Sequence, residues 1–178
     1  MERELQAGNE LRLEVNVSGR SVDDRELPGL IQEELAKTAV NPDNLILEIT
    51  ETSLISNMAD ARRFAETLTR VGCRFALDDF GAGFASFYYL KHMRFDYVKI
   101  DGEFIRGLGD DRTNQLLVQS VVQIARGLGK RTVAEFVEDG PTLELLRGYG
   151  VDYAQGFHIA RPAPLGEVQL SQLAAVAA

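Results

Sequence analysis

The chain has 178 residues, 45% of them hydrophobic, and carries 19 Lys and Arg against 27 Asp and Glu, a formal net charge of −8. This length suits one domain with its own core, and the negative charge argues against DNA or acidic lipid held by general electrostatic attraction. The single cysteine, Cys73, excludes an intramolecular disulfide and a thiolate metal cluster, and no apolar run approaches the roughly 20 residues that span a bilayer. We therefore expect a soluble, cytoplasmic protein without a membrane segment.

Apolar periodicity predicts alternating strands and helices along the chain. The predicted strands cover 11–18, 45–50, 74–79, 96–100, 131–135 and 152–157, and the predicted helices cover 27–39, 56–71, 86–92, 112–128, 141–149 and 165–177. Helix 112–128 is expected to bury a stripe formed by Leu117, Val121, Ile124, Ala125 and Leu128. Successive strand–helix units imply parallel strands with right-handed crossovers, which leaves an open doubly wound sheet and a closed barrel as candidates.

Polar residues near the ends of the predicted strands favour the barrel. An open sheet covered by helices should be apolar on both faces, whereas a barrel aims one face at a polar site on its C-terminal rim. We expect a TIM-like (β/α) barrel, α/β in class. Eight units take roughly 250 residues, so this barrel is expected to be incomplete, with about six βα units and the first strand region missing. The polar residues that carry this argument are Asn16, Glu48, Asp78, Lys99, Glu135 and Gln155.

Two adjacent carboxylates, Asp78 and Asp79, stand where the strand 74–79 meets a loop that contains Gly81 and Gly83. Two carboxylates held close together at a strand end repel each other unless a cation or a proton intervenes. Taken alone, the pair is also compatible with solvated turn aspartates. The ends of the other predicted strands favour a metal site, because their side chains add further oxygen donors to the two aspartates, and Mg²⁺ and Mn²⁺ prefer oxygen ligands.

The chemistry predicted for this site is in-line displacement at phosphorus with two cations, in which one aspartate bridges both cations and the other binds only the second. Lys99 could orient a metal-bound water or neutralise charge in the transition state. Glu135 and Glu138 are candidates for a ligand, a general base or a residue that supports the ligands.

Several motifs occur in an order that resembles the EAL domain of bacterial cyclic di-GMP phosphodiesterases over nearly the whole chain. The resemblance implies a modified (β/α)₈ barrel that hydrolyses the second messenger cyclic di-GMP to linear pGpG with two Mg²⁺ or Mn²⁺ ions. The motifs are Leu47-Glu-Ile-Thr-Glu51, Ala76-Leu-Asp-Asp-Phe-Gly-Ala-Gly-Phe84, Tyr89-Leu90, Val98-Lys-Ile-Asp101, Val133-Ala-Glu135 with Glu138, and Asp152-Tyr-Ala-Gln-Gly-Phe157 followed by Arg161-Pro162.

The same resemblance implies a role for each matching residue. Lys99 would hold the attacking water, and Glu51 would anchor the loop 80–87, which couples metal binding and dimerisation to activity. Glu138 and Gln155 would line the site, and the stretch up to Arg161 and Pro162 would form the wall around a guanine. The implied metal ligands are Asn16, Glu48, Asp78, Asp79 and Glu135.

The sequence departs from the family pattern in two places. The Glu-Ala-Leu signature is absent, so the chain is expected to be an EAL domain truncated at its N-terminus, with weak or absent activity. Phe136 stands where a glycine is usual. The alternative function is a non-catalytic EAL-like module that binds cyclic di-GMP or a protein, although retention of Asp78, Asp79 and Lys99 favours an enzyme. A barrel acting on another phosphate or carboxylate substrate remains as a third hypothesis.

The expected partners follow from the resemblance and from the predicted sheet. They are cyclic di-GMP, a second copy of the chain recruited through an exposed strand edge, and a sensor or GGDEF domain upstream in the parent protein.

Overall fold

A computed structural model describes residues 11–56, 58–81 and 86–164. The predicted helix 165–177 lies outside these ranges. Contacts divide the described chain into two compact units, one containing residues up to Asp78 together with 86–96, the other containing 79–81 and the residues from Tyr97 onward. Strand β3 contributes to both units, and the strands follow one another in chain order within a six-stranded sheet.

The first unit alternates strands and helices. Its strands pair in parallel, with Leu13 opposite Leu45 and Ile46 opposite Arg74. The elements are β1 (Leu13–Asn16), α1 (Gly19–Asp23), α2 (Leu27–Ala36), β2 (Leu45–Thr50), α3 (Glu51–Ser56), α4 (Met58–Val71), β3 (Arg74–Phe80, whose last two residues belong to the second unit) and α5 (Ser86–His92).

The second unit continues the same alternation, with β4 and β5 paired in parallel and β5 and β6 likewise. Its elements are β4 (Tyr97–Ile100), α6 (Gly102–Ile105), α7 (Arg112–Gly127), β5 (Arg131–Ala134), α8 (Gly140–Tyr149) and β6 (Tyr153–Ala154). Parallel strands joined by helices confirm the predicted α/β class.

The core of the first unit lies between the sheet and α4. Phe75 and Leu77 of β3 are fully buried, as is Leu68 of α4. Phe64 meets Phe75 edge to face, with ring centroids 6.2 Å apart, an arrangement that aromatic pairs prefer. Burial on this scale fixes β3, and therefore the two aspartates at its end.

The predicted buried stripe of the long helix was largely wrong. Val118, Val122 and Ala125 form the buried face of α7, whereas Leu117 and Leu128 are 43% and 51% exposed. Ile124 is also exposed and Val121 is half-buried. Two apolar stripes lie side by side on this helix, and the one of small β-branched residues and alanine packs into the core formed with Ile100, Ala134, Val137, Leu143 and Leu146.

Other differences concern short elements. Helices α1, α3 and α6 were not predicted, since four to six residues carry too little periodicity. Strand β6 is shorter than the predicted 152–157, because the backbone turns at Gly156, whose carbonyl accepts from Ile159 and Ala160. No helix in the described ranges is both long and apolar enough to cross a membrane.

Candidate metal centre

Three polar side chains of the first unit share one face of the sheet. Asn16 lies opposite Glu48 in the register of β1 with β2, and Glu48 lies opposite Ala76 in β3. Side chains on a strand alternate between faces, so Asp78 points to the same face as Ala76. Glu48 and Asp78 are buried, at 3% and 7% exposure, while Asn16 on the edge strand is exposed.

The backbone at Asp79 leaves the strand conformation. Its φ is +55°, a left-handed value that aspartate tolerates better than most residues. In a regular strand, Asp78 and Asp79 would point to opposite faces. The left-handed turn removes this alternation, and an oxygen of each of the two aspartates lies within 4.8 Å of the other and of an oxygen of Glu135.

Such a cluster of three carboxylates is a set of hard oxygen donors that suits a divalent cation. Bringing three negative charges this close is unfavourable without a compensating cation. The residues of the cluster therefore fit the metal that the sequence predicts.

Lys99 and Glu135 form an ion pair within the second unit. The Nζ of Lys99 lies 2.9 Å from Oε1 of Glu135, and the two side chains are 5% and 12% exposed. The register of β4 with β5 places Lys99 opposite Val133, so Glu135, two residues later, is its diagonal neighbour on the same face. The ammonium offsets part of the negative charge of the carboxylate cluster.

Glu51 opens helix α3 and is buried, at 2% exposure. Its neighbour in the first unit is Tyr89 of α5. Burial raises the pKa of the Tyr89 phenol, and the nearby carboxylate of Glu51 raises this pKa further. Residues 82–85 of the loop that Glu51 is predicted to anchor lie outside the described ranges, so that role stays a prediction.

A cavity of about 280 Å³ opens beside Glu135 in the second unit. The predicted site residues Glu138 and Gln155 both line it and are exposed. Its remaining lining comes from Phe136, Gly156 and Phe157. Gly156 is required here, because a Cβ at this position would lie 2.2 Å from the carbonyl oxygen of Val137.

Arg161 and Pro162 follow this cavity in the chain and are exposed. The guanidinium of Arg161 lies over the ring of Phe157, 4.7 Å from its centroid. Arg161 therefore contacts Phe157, which lines the cavity, but neither Arg161 nor Pro162 lines the cavity itself.

Phe136 is the feature of this region that sequence reasoning left unexplained. Its φ is +53°, a conformation costly for a bulky side chain. The ring is half exposed, packs against Gly102, and lies beneath the guanidinium of Arg106, 4.1 Å from its centroid. The usual glycine at this position was the available signal, because a glycine that recurs at a strand end indicates a positive φ.

The comparisons with known proteins agree with this geometry. The sequence model of the EAL domain matches residues 1–162. The chain belongs to the EAL domain family. It is 38% identical over 153 residues to the cyclic di-GMP phosphodiesterase PdeB of Shewanella oneidensis, an alignment that covers 86% of this chain and 18% of PdeB.

Solved EAL domains have the same fold. The EAL domain of FimX from Xanthomonas citri, in complex with c-diGMP, has a TM-score of 0.89 at 27% identity, covering 94% of this chain and 66% of that one. BlrP1 of Klebsiella pneumoniae, in a manganese and cyclic di-GMP complex, has a TM-score of 0.83 at 30% identity, covering 90% of this chain and 41% of that one. These similarities confirm the TIM-like (β/α) fold predicted from the sequence.

Proposed function

We propose that this EAL chain binds cyclic di-GMP and hydrolyses it to linear pGpG. The observation that carries the proposal is the cluster of Asp78, Asp79 and Glu135, with an ammonium 2.9 Å from one of its carboxylates. The name of PdeB as a cyclic di-GMP phosphodiesterase and the cyclic di-GMP in the FimX and BlrP1 structures support the choice of substrate. The chain spans less than a fifth of the length of PdeB, so the activity of the whole protein is part of the proposal.

The proposed cofactor is a pair of Mg²⁺ or Mn²⁺ ions. Asp78, Asp79 and Glu135 would hold them, with Glu48 and Asn16 as the other candidate ligands. BlrP1 complexes that contain manganese or calcium support a divalent cation in this family. When bound, two cations stabilise both the attacking and the leaving oxygen of an in-line displacement at phosphorus.

Lys99 is proposed to hold the attacking water by donating a hydrogen bond from Nζ. Glu135 fixes the position of Nζ through their 2.9 Å contact, which orients the donor before substrate arrives and lowers the cost of reorganisation. Because both side chains are largely buried, this contact is shielded from bulk water and is stronger than a surface ion pair.

Substrate positioning is assigned to the cavity beside Glu135. Glu138 and Gln155 line it and would offer polar atoms to a guanine or ribose. Phe157 forms part of its wall, and the guanidinium of Arg161 lies over that ring. We propose that Arg161 and Pro162 contact the guanine from outside the cavity lining. The cavity volume of about 280 Å³ is close to the lower limit of small-molecule sites, which suits one guanosine half of the cyclic dinucleotide. Glu51 is proposed to anchor the loop 80–87.

The test is an assay of the chain with Mn²⁺ and cyclic di-GMP in which pGpG is measured by chromatography. Asp78→Asn should abolish product, while Asp110→Asn, an exposed aspartate outside the site, should leave it unchanged. Binding of cyclic di-GMP without any turnover would instead support the non-catalytic module. No binding at all would overturn the proposed substrate.

We also propose that two copies of the chain associate through the edge of β1. All four residues of this strand are exposed, including the apolar Leu13 and Val15 at 46% and 39%. Among the described residues β1 pairs with β2 on one side only, and a strand edge without a partner is a template for another strand. We place the chain in the cytoplasm, as one part of a longer protein with a sensor or GGDEF domain. A strictly monomeric mass by light scattering across concentration would overturn the association.

A further inference from the structure

A cleft of about 490 Å³ lies in the first unit between α4 and the segment that ends α5. Four cationic side chains line it, Arg62 and Arg70 from α4, and Lys91 and Arg94 from the end of α5 and the residues after it. The one carboxylate in the lining, Glu66, is held by Nε of Arg62 at 2.8 Å. With its histidine neutral, the cleft has a formal charge of +3 in a chain whose total is −8.

Within the described residues, Arg62 is the cation of this cleft that pairs with a carboxylate, that of Glu66. Across the described ranges, the side chains of Lys91 and Arg94 form neither an ion pair nor a hydrogen bond, and Arg70 reaches only the hydroxyl of Thr67 at 3.4 Å. Cations in the last turn of a helix interact favourably with the helix dipole, which explains Lys91 and Arg70. Arg94 lies beyond the end of α5, so the helix dipole does not explain it, and Arg62 lies in the N-terminal half of α4, where the dipole disfavours a cation.

The floor and one wall of the cleft are apolar or aromatic. Ala65 and Met93 form the floor and are 4% and 6% exposed. The ring of His92 lines the wall and packs on Tyr88, with centroids 4.3 Å apart. An aromatic wall beside an apolar floor, with the two rings tilted by 42°, suits a planar base, while guanidinium and ammonium groups suit phosphates.

The cleft lies at the opposite end of β3 from the aspartates. The segment that follows α5 is tied to the start of this strand, because the backbone N–H of Asp96 donates to the carbonyl of Phe75 at 2.8 Å, and the N–H of Phe75 donates to Oδ2 of Asp96 at 3.0 Å. From Arg74 to Asp78 the strand rises by about 13 Å. A ligand in the cleft therefore lies apart from the aspartate end of β3.

We propose that this cleft is a second, metal-independent binding site for a nucleoside polyphosphate. The phosphates would contact Arg62, Arg70, Lys91 and Arg94, and the base would lie against His92 and the apolar floor. The volume is within the range of about 300 to 1,000 Å³ that small-molecule sites occupy. The proposal is independent of the function proposed for the carboxylate cluster.

The experiment titrates the full chain with a fluorescent analogue of GTP, with EDTA present to remove divalent cations, and follows fluorescence anisotropy. We expect saturable binding that weakens as salt screens the charges. Inorganic triphosphate should compete with the analogue, and guanosine should not. Lys91→Ala with Arg94→Ala should weaken binding at least tenfold, as expected for the loss of two charge-assisted contacts. Both side chains are exposed, so the double variant should keep the circular dichroism spectrum of the parent chain.

The matched control removes two exposed cations elsewhere in the first unit, Arg20→Ala with Arg25→Ala, and should change the affinity by less than twofold. An equal loss in both double variants would mean general electrostatic attraction and would overturn the site. So would the absence of saturable binding. Binding of anionic lipid vesicles that requires Lys91 and Arg94, without binding of the nucleotide, would overturn the ligand class.

A further variant separates this proposal from the proposed hydrolysis. Asp78→Asn is expected to abolish pGpG formation while leaving binding of the GTP analogue within twofold of the parent. If Asp78→Asn abolished analogue binding too, the nucleotide would occupy the carboxylate cluster, and the cleft would not be its site.

Discussion

The contact between Gly102 and Phe136 provides a sharp test of the local structure. A Cβ added at Gly102 would lie 2.2 Å from Cδ2, 2.7 Å from Cγ and 3.0 Å from Cβ of Phe136. Overpacking of this kind typically costs about 1 to 3 kcal/mol. Gly102→Ala should therefore destabilise the chain by about that amount, although alanine is otherwise the better helix residue.

Phe136→Gly acts on opposing terms. It removes the steric cost of the left-handed backbone conformation, about 1 to 2 kcal/mol for a residue with a Cβ. It also loses the half-buried ring, worth about 1 kcal/mol at its exposure of 48%, and the contact with Arg106, worth about 0.5 to 1 kcal/mol. We expect a net change within about 1 kcal/mol, because the extra chain entropy of glycine adds a further small cost.

The two changes should be strongly coupled. In the Phe136→Gly background, all three of the close contacts at Gly102 are gone, so Gly102→Ala should cost nothing. The coupling free energy is then about 1 to 3 kcal/mol, equal to the overpacking it relieves. Urea denaturation of the four proteins of the cycle, followed by circular dichroism, measures it.

Gly127→Ala serves as the matched control, because a Cβ there would meet nothing within 4 Å. It should add to Phe136→Gly without coupling. Additivity of Gly102→Ala and Phe136→Gly to within about 0.5 kcal/mol would refute the packing and the backbone conformation described for Phe136.

Three further predictions concern charge, titration and the sheet edge. Lys99→Met should lower the free energy of unfolding by about 2 to 4 kcal/mol, because it removes a buried ammonium that offsets part of the negative charge of Glu135 and the neighbouring carboxylates. Mn²⁺ should restore part of this loss. As a control, Lys37→Met, in an ion pair whose side chains are 62% and 72% exposed, should cost at most about 1 kcal/mol. Burial raises the pKa of the Cys73 thiol from 9.0 to about 11, so the folded state favours the protonated thiol. The resulting contribution to the free energy of unfolding is full below pH 9 and is lost as the pH rises towards 11. If denaturant titrations showed that the stability of Cys73→Ala falls by the same amount between pH 9 and 11, this prediction would be wrong. The N–H of Val17 donates to the carbonyl of Glu48 in β2, so the N–H of Glu14, three residues earlier, points away from β2. Glu14→Pro, which removes this donor, should therefore abolish self-association measured by light scattering, while Glu14→Ala should preserve it. Equal association of the two variants would place the interface elsewhere.

The sequence was most informative where a strand is buried between other strands. Strand β2 occupies the predicted residues 45–50, and β3 extends the predicted 74–79 by one residue. These bounds were predictable because each strand is an apolar run that begins shortly after a residue that breaks regular structure, Pro42 or Gly72. Since parallel strands end at the same edge of a sheet, their polar end residues could also be predicted to lie together. The shared face of Asn16, Glu48 and Asp78 follows from that rule.

What the sequence did not reveal depends on contacts between distant residues. The adjacent stripes of α7 have similar hydropathy, and only the packing partners select Val118 and Val122 over Leu117. The left-handed backbone at Asp79 and Phe136 was not predicted because neither position holds a glycine; the only signal at position 136 was the glycine usual there in the family pattern. The cationic cleft likewise joins side chains some 20 to 30 residues apart, which no local pattern relates.

The proposed function depends on the carboxylates at the ends of β3 and β5 forming a site for divalent cations. Electron paramagnetic resonance of free Mn²⁺ during titration of the chain, with cyclic di-GMP present, measures the number of bound ions directly. We expect two bound ions per chain and a loss of binding in Asp79→Asn, with Asp110→Asn unchanged. Equal Mn²⁺ binding by the chain and by Asp79→Asn would contradict it.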